Sequence, residues 1–336
     1  MNDSAVRVLV IRAGQLGDTV CASSIIEPLR HMYGESVIID WVAKSGIGRI
    51  FSADPRINTV FELSSRKSPL LFNKGKRAIV RESWRNVYDV VVNLELGNLF
   101  NTTMRLLRAK RKIGMPYRLF EEPAQTHAVE NLHLIYQSFM DKQSLSLAQP
   151  GLIGTSEADV RRRYSLSKNY VVLVPSNSHH DLPPEKNYRN WPVSHWRELI
   201  EKLVHQNRQV VIIGGKNESA FFDHLKPFPA PVMDLVGKTD FPDLIGVLAA
   251  AAAVVSTDTG PAHIAGAVNT PVCMLIGPTN PKRTAPYQTE HNSVQILSAN
   301  LPCSPCYHTA QFEQCRKNQC MYDIGVDKVV EVIASL

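Results

Sequence analysis

At 336 residues the chain is long enough for two domains with separate cores. Its 44% hydrophobic and 20% charged content, free of low-complexity tracts, excludes fibrous and disordered classes. Met1 to Ser4 leads directly into the apolar run Val6 to Ile11, with no basic stretch, long apolar core or small-residue cleavage site, and no segment reaches the ~18 to 20 apolar residues that span a bilayer. A cytoplasmic location is the default expectation. The net charge of +6 lies wholly in the first half, where residues 1–150 hold 20 Lys and Arg against 14 Asp and Glu while the remainder balances.

In chain order, Val6 to Ile11 is a buried strand that ends in Arg12-Ala13-Gly14-Gln15-Leu16-Gly17-Asp18 and runs into a helical pattern at Val20, Ile25, Ile26 and Leu29. The Gly14 to Gly17 spacing lacks the dinucleotide fingerprint, so no Rossmann cofactor is expected. Asp18 lies at the helix start, where it could simply cap the helix. Further strands are expected at Val37 to Val42, Thr59 to Leu63, Val87 to Leu94 and Lys112 to Gly114. Between the earlier of these, crossover helices fit near Gly46 to Ser52, Lys76 to Asn86 and Asn98 to Arg108. This alternation argues for a doubly wound parallel sheet with ligands at the carboxyl ends of its strands.

Two basic clusters fall in the same half, Arg66, Lys67, Lys74, Lys76, Arg77 and Arg81, then Arg105, Arg108, Lys110, Arg111 and Lys112. They are either solvated faces or the meeting place for something acidic, a phosphorylated substrate or an anionic lipid surface. Nucleic acid is the weakest option, because neither run interleaves aromatics or matches a binding module. Candidate contacts to such an acidic partner are Arg66, Lys74, Lys76 and Arg77.

From Gln143 to Lys168 the chain turns to Ser, Gln, Gly and Pro, and the interdomain linker is expected there. Strands resume at Tyr170 to Val174, Gln209 to Ile213, Ala253 to Ser256 and Pro271 to Ile276, with helices at Ser194 to His205 and Phe241 to Ala251. The second half thus repeats the architecture of the first without a residue-level repeat. The stretch Asp258-Thr259-Gly260-Pro261-Ala262-His263 reads as a strand end, a tight loop and a helix start. Thr259 or Asp258 can cap, Gly260 admits close approach, and Pro261 suits the first helical position. It is either an ordinary capped turn or an anion site.

Four segments, taken together and in order, resemble glycosyltransferase family 9, the ADP-heptose:lipopolysaccharide heptosyltransferases. They are Val8 to Arg12 with Gly17-Asp18-Thr19; Arg189-Asn190-Trp191-Pro192 with His195-Trp196; Val210 to Gly214; and Asp258 to His263 with Pro271-Val272 and Gly277-Pro278-Thr279. The resemblance implies a GT-B fold of two Rossmann-like doubly wound domains facing a cleft. It also implies inverting transfer that requires no cofactor.

By that likeness residues 1–160 bind the acceptor, residues 161–325 bind the nucleotide sugar, and the helix 326–336 can pack back on the first domain. Asp18 matches the general base, and Arg12 stands where the family usually has lysine. Arg189, or Lys186 in its place, would meet the donor phosphates, with Ser176 and Asn177 at the diphosphate. Asp258, Thr259, Gly260 and His263 form the donor loop, and Glu218 reaches the ribose or base. The implied partners are ADP-heptose, a phosphorylated lipopolysaccharide core acceptor and the anionic inner-membrane surface, to which the protein would be peripheral. The competing readings are another nucleotide sugar, or a sugar-nucleotide-binding protein without transfer activity.

One transferred glycosyl group needs one base for the acceptor hydroxyl and positive charge for the departing diphosphate, so a single carboxylate suffices. Of the cysteines, Cys21 and Cys273 read as buried hydrophobes. Cys303, Cys306, Cys315 and Cys320 have the crowding of a structural zinc or iron site, against a reduced loop as the alternative.

Overall fold

The computed structural model describes residues 5–117, 126–179, 181–182 and 186–336. The chain divides into two compact units, Met1–Ile153 and Gly154–Leu336. Among the described residues no helix is long and apolar enough to cross a membrane.

In the first unit five strands, Arg7–Ile11 (β1), Ile38–Lys44 (β2), Ile57–Leu63 (β3), Tyr88–Asn93 (β4) and Ala109–Ile113 (β5), form a parallel sheet in the order β3-β2-β1-β4-β5. β1 and β4 are runs of Val, Leu and Ile buried on both faces, as parallel strands covered by crossover helices must be. Val8 pairs with both Ile39 and Val90, so β1 is central. Numbering helices of six residues or more, this unit contributes Leu16–Ala22 (α1), Ile26–Tyr33 (α2), Lys74–Arg85 (α3), Asn101–Leu106 (α4) and Ala128–Tyr136 (α5). Leu9, Ile11, Val42, Leu63, Ile79 and Val91 meet Phe100 and Met104 in its core.

The second unit carries Val171–Val174 (β6), Val210–Ile212 (β7), Met233–Asp234 (β8), Ala253–Thr257 (β9), Val272–Leu275 (β10) and Val294–Leu297 (β11), again parallel, in the order β11-β10-β9-β6-β7-β8. Its helices are Glu157–Tyr164 (α6), Val193–His205 (α7), Phe241–Ala249 (α8), Gly260–Ala267 (α9) and Val326–Ser335 (α10). Trp191 and Trp196 stand perpendicular, 4.8 Å apart, in its core, and the Trp191 Nε1–H donates to the Ile324 carbonyl at 3.0 Å.

Two boundaries differ from the sequence reading. The junction, between residues 153 and 154, lies inside the expected linker but ahead of the expected boundary at 160, and α6 belongs to the second unit, where its Arg163 and Tyr164 both bond the carboxylate of Asp243 on α8. The closing helix α10 was offered to the first domain, but its apolar face joins the second unit's own core through Val326, Val329 and Ile333.

Both sheets reverse their winding once. In the first the chain goes outward from β1 to β2 and β3, then returns to lay β4 on the other side of β1. In the second the same reversal lies between β6 and β9. Loops leaving the carboxyl ends of such strand pairs diverge and leave a crevice, the usual ligand position in open parallel sheets.

Candidate active site

In the first unit the loop after β1 occupies that crevice. Gln15, and not Asp18, is the N-cap of α1; Asp18 sits one turn in and reaches back, its Oδ2 accepting the Gln15 N–H at 2.8 Å. Its Oδ1 accepts from the Arg12 guanidinium at 2.8 Å, and Arg12 also donates to the Leu94 carbonyl at 2.7 Å. Burial opposes the charge of Arg12, but the fields of Asp18 and Glu95 outweigh it and raise its pKa. Asp18 keeps 38% of its side chain exposed while Arg12 keeps 13%, so the cation is fixed and the carboxylate faces outward. Gly14 makes this packing feasible, since a methyl group there would stand 2.6 Å from Asp18 Cβ.

Glu95, at the end of β4, was missed in the sequence and organises the same crevice. It is 2% exposed, accepts the Ala13 N–H at 2.6 Å through one oxygen and pairs with Arg66 at 3.2 Å through the other. One buried acid thus ties the loop after β1 to the basic loop after β3. The available signal was an acid closing an apolar strand, where a continuing core residue would be expected.

Lys76 requires a correction. It is 2% exposed, and its ammonium donates to the carbonyls of Arg66, Ser68 and Leu99 at 2.8, 3.0 and 3.1 Å while lying 4.6 Å from the Phe100 ring centroid. With all three N–H bonds spent it cannot contact an acceptor. It is a clamp on two loops, and burial lowers its pKa. Lys74 and Arg77 are exposed.

In the second unit the loops after β6, β9 and β10 meet. Ser176 and Asn177 are buried just past β6, and Asn177 accepts the His179 N–H at 2.9 Å. Arg189, 13% exposed, faces Asp258 at 3.5 Å, donates to Ser178 Oγ at 2.6 Å and lies 3.2 Å from His179 Nδ1, with its guanidinium 5.7 Å from the Tyr307 ring. Burial first, and Arg189 second, lower the pKa of His179. Lys186 is exposed, so Arg189 is the cation built into this crevice. The hydroxyls of Ser176, Thr257 and Thr279 and the Nε of Arg189 are buried with no hydrogen-bond partner among the described residues. Buried donors of this kind at the ends of adjacent strands β6, β9 and β10 are the arrangement an anion with several acceptor oxygens completes.

Thr259 is the N-cap of α9 but its side chain makes no capping bond, and Asp258 turns to Arg189 instead. The first-turn amides of α9 are therefore left without a capping side chain, beside His263 and Gly260. Glu218 accepts the Gly215 N–H at 2.9 Å and shapes the loop after β7. Thr257, Thr279, His179 and Tyr307 are the site residues that sequence reasoning missed or left unassigned.

These two crevices can be compared with known proteins. The model of Glycosyltransferase family 9 (heptosyltransferase) matches residues 85–317. The chain belongs to this family. It is 26% identical to lipopolysaccharide heptosyltransferase 3 of Escherichia coli K12, over 87% of this chain and 88% of that one. Among solved structures, E. coli ADP-heptose LPS heptosyltransferase II superposes with TM-score 0.75 at 22% identity, covering 98% of each chain. E. coli heptosyltransferase WaaC with ADP-2-deoxy-2-fluoro heptose does so with TM-score 0.68 at 18% identity, covering 98% of this chain and 99% of that one. The fold class is GT-B, with two Rossmann-like units, and the protein is a glycosyltransferase.

Cys303, Cys306, Cys315 and Cys320 lie in the loops and short turns that follow β11. Among the described residues no three potential ligands converge. Cys315 Sγ turns to the Lys317 carbonyl at 3.1 Å and Cys320 Sγ to Asn318 Oδ1 at 3.7 Å. Burial and the neighbouring thiols push Cys320 up to about 11, so it stays a neutral thiol near pH 7. Cys21 and Cys273 are buried hydrophobes, each pushed up to about 12 by burial.

Proposed function

We propose that this family 9 glycosyltransferase transfers a heptose, with inversion, from ADP-heptose to a phosphorylated lipopolysaccharide core acceptor at the cytoplasmic face of the inner membrane. Asp18 takes the proton of the acceptor hydroxyl as its oxygen attacks the anomeric carbon. The bond from that carbon to the diphosphate oxygen breaks, and ADP leaves. Arg12 holds Asp18 outward, and Arg66, Lys74 and Arg77 meet the acidic acceptor. On the donor side Arg189, the hydroxyls of Ser176, Thr257 and Thr279, and the first turn of α9 receive the diphosphate. Asp258 and His263 border the sugar, and Glu218 the ribose or base. The reaction so described uses no cofactor.

The observation that carries this reading is the cradle around Arg189, in which one largely buried cation and three hydroxyls without a partner among the described residues sit at the winding reversal of the second sheet. The ADP and ADP-heptose in the names of the two E. coli structures support an adenine donor. Asp18→Asn should reduce turnover at least about a thousandfold while leaving thermal stabilisation by ADP unchanged. Turnover within a few fold of wild type would remove Asp18 from the mechanism, and stabilisation by UDP or GDP but not by ADP would remove the heptose donor.

A further inference from the structure

Of the eleven large hydrophobic residues that are exposed among the described ones, seven fall between positions 71 and 117 of the first unit. Residues 64–117 also hold twelve Lys and Arg against three acids. Of those acids Glu95 is buried, Glu82 faces Arg7 at 3.3 Å and Asp89 faces Lys110 at 2.6 Å, so they leave the surrounding field strongly positive.

The two properties share one face. On α3 the exposed positions are Lys74, Arg77, Ala78, Arg81, Trp84 and Arg85, which recur at three- and four-residue steps and so share one side, while Lys76, Ile79 and Ser83 bury the other. Before the helix the turn Leu70–Phe72 lifts Leu71 and Phe72 to 66% and 78% exposure. That turn is firmly held: Arg77 bonds the Leu71 carbonyl, and Lys76 grips Ser68. After the helix Trp84 donates its indole N–H to the Leu106 carbonyl at 3.0 Å, and Arg108 stacks over its ring at 4.2 Å. The face therefore continues onto α4 with Leu106 45% exposed. Apolar side chains held in water and ringed by the exposed Lys74, Arg77, Arg81, Arg85 and Arg108 suit a surface whose outer layer is anionic and whose inner layer is hydrocarbon. Of the aromatics on this face Trp84 is already covered by Arg108, which leaves Phe72 beside Leu71 and Leu106 and favours lipid over a run of stacked bases.

We propose that the face formed by the Leu70–Phe72 turn and the exposed sides of α3 and α4 docks on an anionic lipid bilayer, with Leu71, Phe72 and Leu106 entering the headgroup boundary and Arg81, Arg85 and Arg108 pairing with lipid phosphates. This gives the membrane-proximal location of the preceding reading a definite face, but it stands on this surface alone and is tested without any sugar nucleotide.

The full chain is to be sedimented with phosphatidylcholine vesicles and with an equal mixture of phosphatidylcholine and phosphatidylglycerol. The mixed vesicles should bind it at least about tenfold more strongly, and added salt should weaken that binding. L71S/F72S and R81E/R85E/R108E should each lose at least roughly tenfold of that binding at unchanged melting temperature and unchanged stabilisation by ADP. Equal binding to both vesicles, wild-type binding by both variants, or tighter binding to a mixed-sequence single-stranded oligonucleotide than to the anionic vesicles would each overturn the proposal. A chain that binds vesicles but transfers no heptose fails only the transfer reading, and one that transfers to a detergent-solubilised acceptor without binding vesicles fails only this one.

Discussion

Asp18 is held from three sides, by Arg12, by the Gln15 amide and by the bare backbone of Gly14. The last contact is the least conspicuous and the easiest to test. Gly14→Ala should lower kcat at least about tenfold, because its methyl group displaces the carboxylate by more than a productive proton transfer tolerates, while stabilisation by ADP stays as in wild type. An unchanged kcat would show that the loop gives way without moving Asp18. Lys76 and Glu95 show the opposite problem of interpretation. In sequence Lys76 is one of a run of cations and reads as either solvated or facing an acidic partner, whereas folding surrounds it with three carbonyls. Glu95 reads as the end of a strand, whereas folding gives each of its oxygens a partner from a different loop. Neither role follows from spacing, because every partner is remote in the chain.

At the scale of elements, the strands buried on both faces were legible, since a continuous run of branched apolar residues between turn signals has few other uses. The two-residue β8 and the half-buried β11 were not, because neither carries such a run. The junction was expected several residues late because α6 is charged and looks like linker, yet its Arg163 and Tyr164 anchor on Asp243. Burial alone would raise the pKa of that carboxyl group, but hydrogen bonds from Tyr164, Thr155 and Arg163 prevail and hold it below its ordinary value. A lowered carboxylate stabilises the fold above its unfolded pKa and loses that contribution as pH falls through the folded one. Asp243→Asn should therefore cost about 1–3 kcal/mol at pH 7, with its melting temperature deficit shrinking below about pH 4. A deficit constant from pH 7 to pH 3 would mean that packing, and not charge, sets the cost.

Across the whole molecule, two sheets with the same winding each place their candidate residues where the winding reverses, and this much could be anticipated from the Gly17-Asp18 and Asp258-to-His263 loops. The Cys303 to Cys320 tail shows a role that spacing leaves open, because its thiols lie near enough to raise one another's pKa and yet no group of three ligands is poised for a metal among the described residues. The three hydroxyls without a partner among the described residues, proposed above to face the donor, make a different prediction. Calorimetry of Thr279→Val should show a melting temperature equal to or above wild type without nucleotide but a smaller rise on adding ADP, with affinity about tenfold weaker. A lower melting temperature without nucleotide would mean that Thr279 already has a stabilising partner in the protein. The same hydroxyls bear on selectivity. A donor that lacks one of the matching oxygens leaves a buried group unsatisfied, at roughly 1–3 kcal/mol for each, so the crevice discriminates more by penalising the wrong occupant than by rewarding the right one.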